Sequence, residues 1–387
     1  MNGRLVRRGA VLLLSASAAL AAFAQEIPPG QIVDGVKCVA DPAETYAVYV
    51  PAHYSADKKW NLILAFDPRG RGRAPLEQYQ AAAQKYGYIV VGSNNSRNGP
   101  PQVSLAAAKA MRADVLKRFS INPKRMYTAG LSGGARIAMK VAIDSDDIAG
   151  VVASSAGFPP GGRANELRFV VFGTAGTEDF NYLEMRQLDH ELSSPHRLAV
   201  FQGGHTWLPS ELAVQAVEWL EVQAMKSGRS PRDGALLDRI FAARSAEVAA
   251  EKNEARVYEQ AEAMVGDFQG LKDVSKFAEE AKALRQKKSV LDALNKERAE
   301  EQMEAQIEAE IAELQQSLED GPAERSASLA QLKPRLTRLS QQANAATDSA
   351  DRRMARRLMG GVFIDSRGVD DQEYQHFVDS LRPQSRN

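Results

Sequence analysis

Gly130-Leu131-Ser132-Gly133-Gly134 fits the pattern G-x-S-x-G, in which a serine sits on an abrupt turn from strand to helix. Small residues are needed on both sides because the chain doubles back on itself there. The strained turn projects the hydroxyl for attack on an electrophilic carbon. With 28 glycines in the chain the pattern alone is weak, so its setting carries the weight. Arg125–Ala129 reads as a strand before it and Ala135–Ile143 as a helix after it, the order this chemistry demands.

A serine hydroxyl is a weak nucleophile and needs a base. Of the five histidines, His53 precedes the core strands, His376 lies near the C-terminus, and His190 and His196 flank a helix end. His205 stands in Gln202-Gly-Gly-His-Thr-Trp207, directly after the last strand of the series, where two glycines let the loop bend back toward the serine. A plain surface-loop histidine is the competing reading. The acid is expected between the two, since the chain order that goes with such an elbow is Ser, acid, His. The segment Thr174–Tyr182 offers Asp179, with Glu178 in reserve. Its role would be to fix the imidazole tautomer and stabilise the imidazolium. Asp179 equally suits the N-cap of a helix beginning near Phe180.

These residues require a frame. Tyr46–Val50, Asn61–Phe66, Tyr88–Gly92, Arg125–Gly130, Ile148–Ala153, Arg168–Gly173 and Arg197–Phe201 are short, nearly continuous apolar runs. Such runs suit strands buried on both faces, which means a largely parallel sheet covered by helices. Leu76–Tyr86, Ser104–Phe119 and Glu211–Gln223 carry helical periodicity between them, so residues 25–226 read as a doubly wound α/β domain. Residues 227–234, rich in Gly, Pro and charge, read as a linker. Residues 235–387 read as an all-α domain. Met303, Ile307, Ile311, Leu314 and Leu318 form one apolar stripe, and Leu329, Leu332, Leu336 and Leu339 form a second. Asp320-Gly321-Pro322 separates them, which predicts an antiparallel, coiled-coil-like hairpin. The glutamates between Glu297 and Glu313 are expected on its solvated face, with a protein-binding surface as the sharper reading.

Formal net charge is zero, so no global field favours nucleic acid. Arg4, Arg7 and Arg8 precede an apolar run from Ala10 to Phe23, and Ala22-Phe23-Ala24 fits a small-x-small cleavage site. Residues 1–24 therefore read as a secretory signal of bacterial type, predicting a periplasmic or secreted protein with no membrane span after cleavage. Cys38 is the sole cysteine, which excludes an internal disulfide framework and a cysteine-rich metal site.

Tyr46-Ala-Val-Tyr-Val-Pro51, the Ser132 elbow and Gly203-Gly-His-Thr-Trp207 together resemble the polyhydroxybutyrate depolymerase and feruloyl esterase group of α/β-hydrolases, related to dienelactone hydrolases. The resemblance spans roughly Cys38 to Met225. It implies Ser132 as nucleophile, His205 as base, an ester substrate, small or polymeric, and neither cofactor nor metal. Two departures stand out. Where that group carries His-Gly after the first long parallel strand, this chain has Phe66-Asp67-Pro68-Arg69; Pro68 has no N–H for an oxyanion, leaving Gly133 and Arg69 as expected donors. Where the group carries Gly-Thr-Ala-Asp, this chain has Gly173-Thr-Ala-Gly176, so its acid either lies further on, at Glu178 or Asp179, or is missing. Asn94, Asn95 and Arg97 follow a strand at the edge where this fold places ligands, and are expected to orient the substrate or else to form a solvated turn. The leading expectation is a serine esterase, with peptidase chemistry open to the same machinery. The rival is a catalytically degenerate hydrolase that binds or scaffolds partners through its helical half.

Overall fold

The computed structural model describes residues 25–162 and 167–382, so the expected export signal, residues 1–24, lies outside the described residues. Eight strands form one sheet: β1 (Ile32–Lys37), β2 (Thr45–Tyr49), β3 (Trp60–Phe66), β4 (Tyr88–Ser93), β5 (Ile121–Leu131), β6 (Ile148–Ser154), β7 (Val170–Gly176) and β8 (His196–Phe201). Their spatial order is β1-β2-β4-β3-β5-β6-β7-β8. β2 runs antiparallel to both neighbours, and every pairing from β4 to β8 is parallel.

Alternation within the strands divides the core. Leu62, Leu64 and Phe66 face one layer, while Ile63 and Ala65 face the other. Both faces are buried, which is why these runs read as continuous rather than alternating. The first layer is closed by α2 (Pro101–Arg118), α3 (Gly133–Ile143) and α4 (Tyr182–Glu191). The second is closed by α1 (Arg73–Tyr86) and α5 (Ser210–Lys226). The expected strands all form. β1 is an addition: Asp34 and Gly35 are exposed at a register shift between Val33 and Val36, and this bulge erases the alternation that would have announced an edge strand.

α5 ends at Lys226 and the next helix starts at Gly234. α6 (Gly234–Ala250), α7 (Glu254–Phe268) and α8 (Ser275–Leu284) pack about Val222 and Met225 of α5, so the helical half shares a core with the sheet domain. α9 (Lys288–Gln316), α10 (Pro322–Ala343), α11 (Ala350–Asp365) and α12 (Gln372–Ser380) enclose a separate core. α9 and α10 fold against one another about Gly321, with Glu310 and Arg335 paired across them at 2.7 Å. Met303, expected in the stripe, is 55% exposed, so the buried seam covers only the C-terminal part of α9.

The glutamates of α9 correct another expectation. Glu297 and Glu301 pair with Arg186 of α4, and Glu304, itself buried, pairs with Arg357 of α11. Charge at helical spacing looks the same on a solvated face as on one matched by arginines from elsewhere in the chain. Only the tertiary packing distinguishes the two.

Candidate active site

β5 ends at Leu131 and α3 begins at Gly133, so Ser132 alone makes the turn, at φ 54° and ψ −124°. Such a backbone costs a residue with a side chain roughly 1–3 kcal/mol. The close approach around it explains the glycines: a Cβ on Gly130 would lie 2.2 Å from the Gly134 carbonyl oxygen, and one on Gly134 would lie 2.0 Å from the Phe66 oxygen. Ser132 N–H donates to Ser154 O on the adjacent strand at 2.8 Å, which pins the elbow to β6. The N–H groups of Gly133 and Gly134 open α3. They have no acceptor within the helix and sit at the positive end of its dipole, where a developing oxyanion is favoured.

The carboxyl ends of β7 and β8 bring the other two groups together. His205 Nδ1–H donates to Asp179 Oδ1 at 2.7 Å, which leaves Nε2 as the acceptor of the imidazole. The Asp179 side chain is fully buried. Its Oδ1 also accepts the Asn181 N–H at 2.9 Å, while Oδ2 is buried without a protein donor. Asn181, not Asp179, is the N-cap of α4, and its amide donates to Ser155 O at 2.6 Å. The capping role therefore does not compete with the pairing to His205. The Phe180 ring stacks on the imidazole, with centroids 4.0 Å apart and planes 24° apart. Glu178, the reserve acid, turns the other way and pairs with Arg352 and Arg356 of α11.

The loop after β3 departs from expectation at Arg69, because the buried Asp67 carboxylate is engaged within the protein. That carboxylate accepts Arg69 N–H at 2.9 Å, Arg71 Nε and Nη2 at 3.0 Å each, and Trp207 Nε1 at 2.9 Å. Burial pushes the Asp67 carboxyl up, but the donors from Arg71, Trp207 and Arg69 outweigh it and hold the group below the ordinary carboxylate range. Arg69 N–H, expected as an oxyanion donor, is thus committed to Asp67.

Asn94 and Asn95 are also placed structurally. Asn94 accepts Gly72 N–H at 3.0 Å and donates to Asp34 at 2.9 Å, while Asn95 accepts Thr45 N–H at 2.9 Å and donates to Ala43 O at 3.2 Å. Both staple loops together. The backbone of Arg97 is held by the Ser104 hydroxyl and bridges to Arg69, while the residue itself is exposed. The residue of this run that reaches the elbow is Asn98, whose backbone N–H is held by Pro68 O at 2.8 Å. A Cβ on Gly133 would fall 1.9 Å from Asn98 Oδ1, so glycine at 133 makes room for that carboxamide. Sequence reasoning stopped one residue short of it. The signal lay in its being the last polar side chain before Gly99-Pro100.

A cleft of about 500 Å³ lies between the two halves, lined by Arg186, His196, Arg197, Arg244, Glu259 and Glu297 among others. It includes none of Ser132, Asp179 and His205. No group of residues suited to hold a metal ion is found among the described residues.

The strand order and the Ser132 elbow give the first half the α/β-hydrolase fold. Among solved structures, the chain is similar to a feruloyl esterase module from Clostridium thermocellum complexed with sinapinate, at 15% identity over 49% of this chain and 88% of that one, TM-score 0.40. It is similar to an esterase from Pyrobaculum calidifontis at 13% identity over 51% and 86%, TM-score 0.42. A putative dienelactone hydrolase from Klebsiella pneumoniae matches at 15% identity over 50% and 98%, TM-score 0.38. All three cover about half of this chain, and the fold stands on its strand order independently of them. No family model and no curated relative matches the sequence.

Proposed function

We propose that the chain is an exported serine hydrolase cleaving a carboxylic ester through an acyl-enzyme. The observation that carries this reading is the 2.7 Å bond from His205 Nδ1–H to a buried Asp179 carboxylate, on the same sheet edge as the strained Ser132 turn. His205 Nε2 takes the Ser132 proton as the hydroxyl attacks the ester carbon, and the imidazolium that forms is stabilised by Asp179. His205 then returns the proton to the leaving alcohol. Water, deprotonated by the same imidazole, releases the acid.

The oxyanion is held by the α3 amide of Gly133 and by the Asn98 carboxamide. A half-turn of that carboxamide exchanges Oδ1 for Nδ2 beside Gly133. Asn98 takes the place of the backbone donor that Pro68 cannot supply. Secretion to the periplasm or beyond follows from residues 1–24, whose basic start and apolar run suit an export signal. No helix among the described residues is long and apolar enough to cross a membrane. The rival reading, a degenerate hydrolase serving as a scaffold, draws on Pro68 and on the committed Arg69 N–H.

A panel of aryl esters of increasing acyl length, given to wild type, Ser132→Ala and Asn98→Ala, tests the proposal. Wild type turns over at least one ester, Ser132→Ala none, and Asn98→Ala loses about 10²–10³ in kcat. Equal turnover by wild type and Ser132→Ala would sink the reading.

A further inference from the structure

Four consecutive residues, Thr177 to Phe180, carry the acid loop, and each is held by contacts from another segment. Thr177 O accepts Arg357 Nη1–H at 2.7 Å. Glu178 accepts Arg352 Nη1–H on Oε1 at 3.3 Å and Arg356 Nη1–H on Oε2 at 2.7 Å. Asp179 holds His205, and Phe180 stacks on the same imidazole. Phe180 in turn lies against the backbone of Gly360, where an added Cβ would come within 3.3 Å of the Phe180 Cβ.

Three of these four residues, Thr177, Glu178 and Phe180, touch α11. Arg352, Arg356 and Gly360 recur every four residues and so share one face of that helix. Arg357, beside them, is itself fixed: its guanidinium is paired with the buried Glu304 and lies 4.5 Å over the Tyr182 ring. On its other side the loop is tied to the histidine segment, with Thr177 N–H on Phe201 O at 2.9 Å and Glu178 N–H on Gly203 O at 2.8 Å. The acid loop is therefore clasped between the His205 segment and a helix whose residues begin more than 170 positions further along the chain.

We propose that α11 is part of the catalytic apparatus: Arg352, Arg356 and Arg357 are positioning residues that hold the Thr177–Phe180 loop, through its anchor Glu178, so that Asp179 and Phe180 keep the His205 ring in its working orientation. This rests on the serine hydrolase reading above. It gives the helical half a part in catalysis, because without α11 the hydrolase half retains its elbow but not a fixed base. It also explains glycine at 360, where a larger side chain would press Phe180 into the imidazole.

The test uses the full mature chain and 4-nitrophenyl acetate. Arg352→Ala/Arg356→Ala is expected to lose about 10²-fold in kcat, the scale of a misplacement near 1 Å, with KM changed less than about twofold because these arginines act through the acid loop. Glu178→Gln is expected to lose roughly as much, and combining it with the arginine pair is expected to add less than about twofold, since both arginines act through the one Glu178 carboxylate. Arg356→Lys is expected to recover a large part of kcat. Arg325→Ala, which breaks the pairing with Asp371 and Glu373 between α10 and α12, serves as the control for a general disturbance of the helical half and leaves kcat unchanged. An unchanged kcat in the arginine pair, fully additive losses, or an equal loss in Arg325→Ala would overturn the inference. Failure of the underlying reading looks different: Asp179→Asn then keeps wild-type turnover, or wild type has none that Ser132→Ala lacks, and the inference falls with it.

Discussion

Asp67 and Asp179 are both fully buried aspartates in loops at the carboxyl edge of the sheet, and their surroundings could hardly differ more. Asp67 receives four donors, two on each oxygen, from Arg69 N–H, Arg71 and Trp207. Asp179 receives two on Oδ1, one of them the imidazole, and none from protein on Oδ2. A carboxylate saturated by fixed donors is a structural tie, and here it fastens the segment bearing His205, through Trp207, to the end of β3. A buried carboxylate whose donors include an imidazole holds the position that the proposed triad requires of its acid. Burial alone does not separate the two roles. The identity of the donors does.

Substitution at each aspartate sharpens that contrast. Asp179→Asn preserves shape but takes away the charge that fixes the His205 tautomer, so kcat is expected to fall by roughly 10⁴-fold with little loss of stability. Retention of activity within tenfold would put the acid elsewhere. Asp67→Asn should do the reverse. Its loss of charge-assisted hydrogen bonds costs about 2 kcal/mol, read as a melting temperature lowered by a few degrees, while kcat falls far less than in Asp179→Asn.

The effect at Asp67 also has a pH signature. Its folded pKa lies below the ordinary carboxylate value, so its contribution to stability is present above about pH 4 and lost as the pH falls through the folded value. The stability gap between wild type and Asp67→Asn should therefore close in acid. A gap that persists there would mean that Asp67 acts through shape rather than charge.

Much of the candidate site is legible in the sequence because its signals are local. The elbow is five residues long, the histidine loop follows its strand directly, and Asp179 lies within a few residues of β7. The central strands announce themselves because burial on both faces demands uninterrupted apolar runs. What escapes a linear reading depends on contacts between distant segments. Arg69 looks like a free oxyanion donor until its N–H is seen to go to Asp67, whose carboxylate is also held by Trp207, 140 residues later. Asn94 and Asn95 look like ligands for substrate because nothing in their neighbourhood says that Gly72, Thr45 and Ala43 already engage them. Glu178 remains a reserve candidate behind Asp179 until α11 supplies arginines to one and not to the other. The polar face of α9 is unreadable for the same reason, since Arg186 and Arg357 come from other helices.

The central claim is that Ser132 is an activated nucleophile. Intact-mass measurement after exposure to a fluorophosphonate tests it most directly. One adduct on wild type and none on Ser132→Ala is the expected result; an unmodified wild type, or an adduct that survives Ser132→Ala, would contradict it.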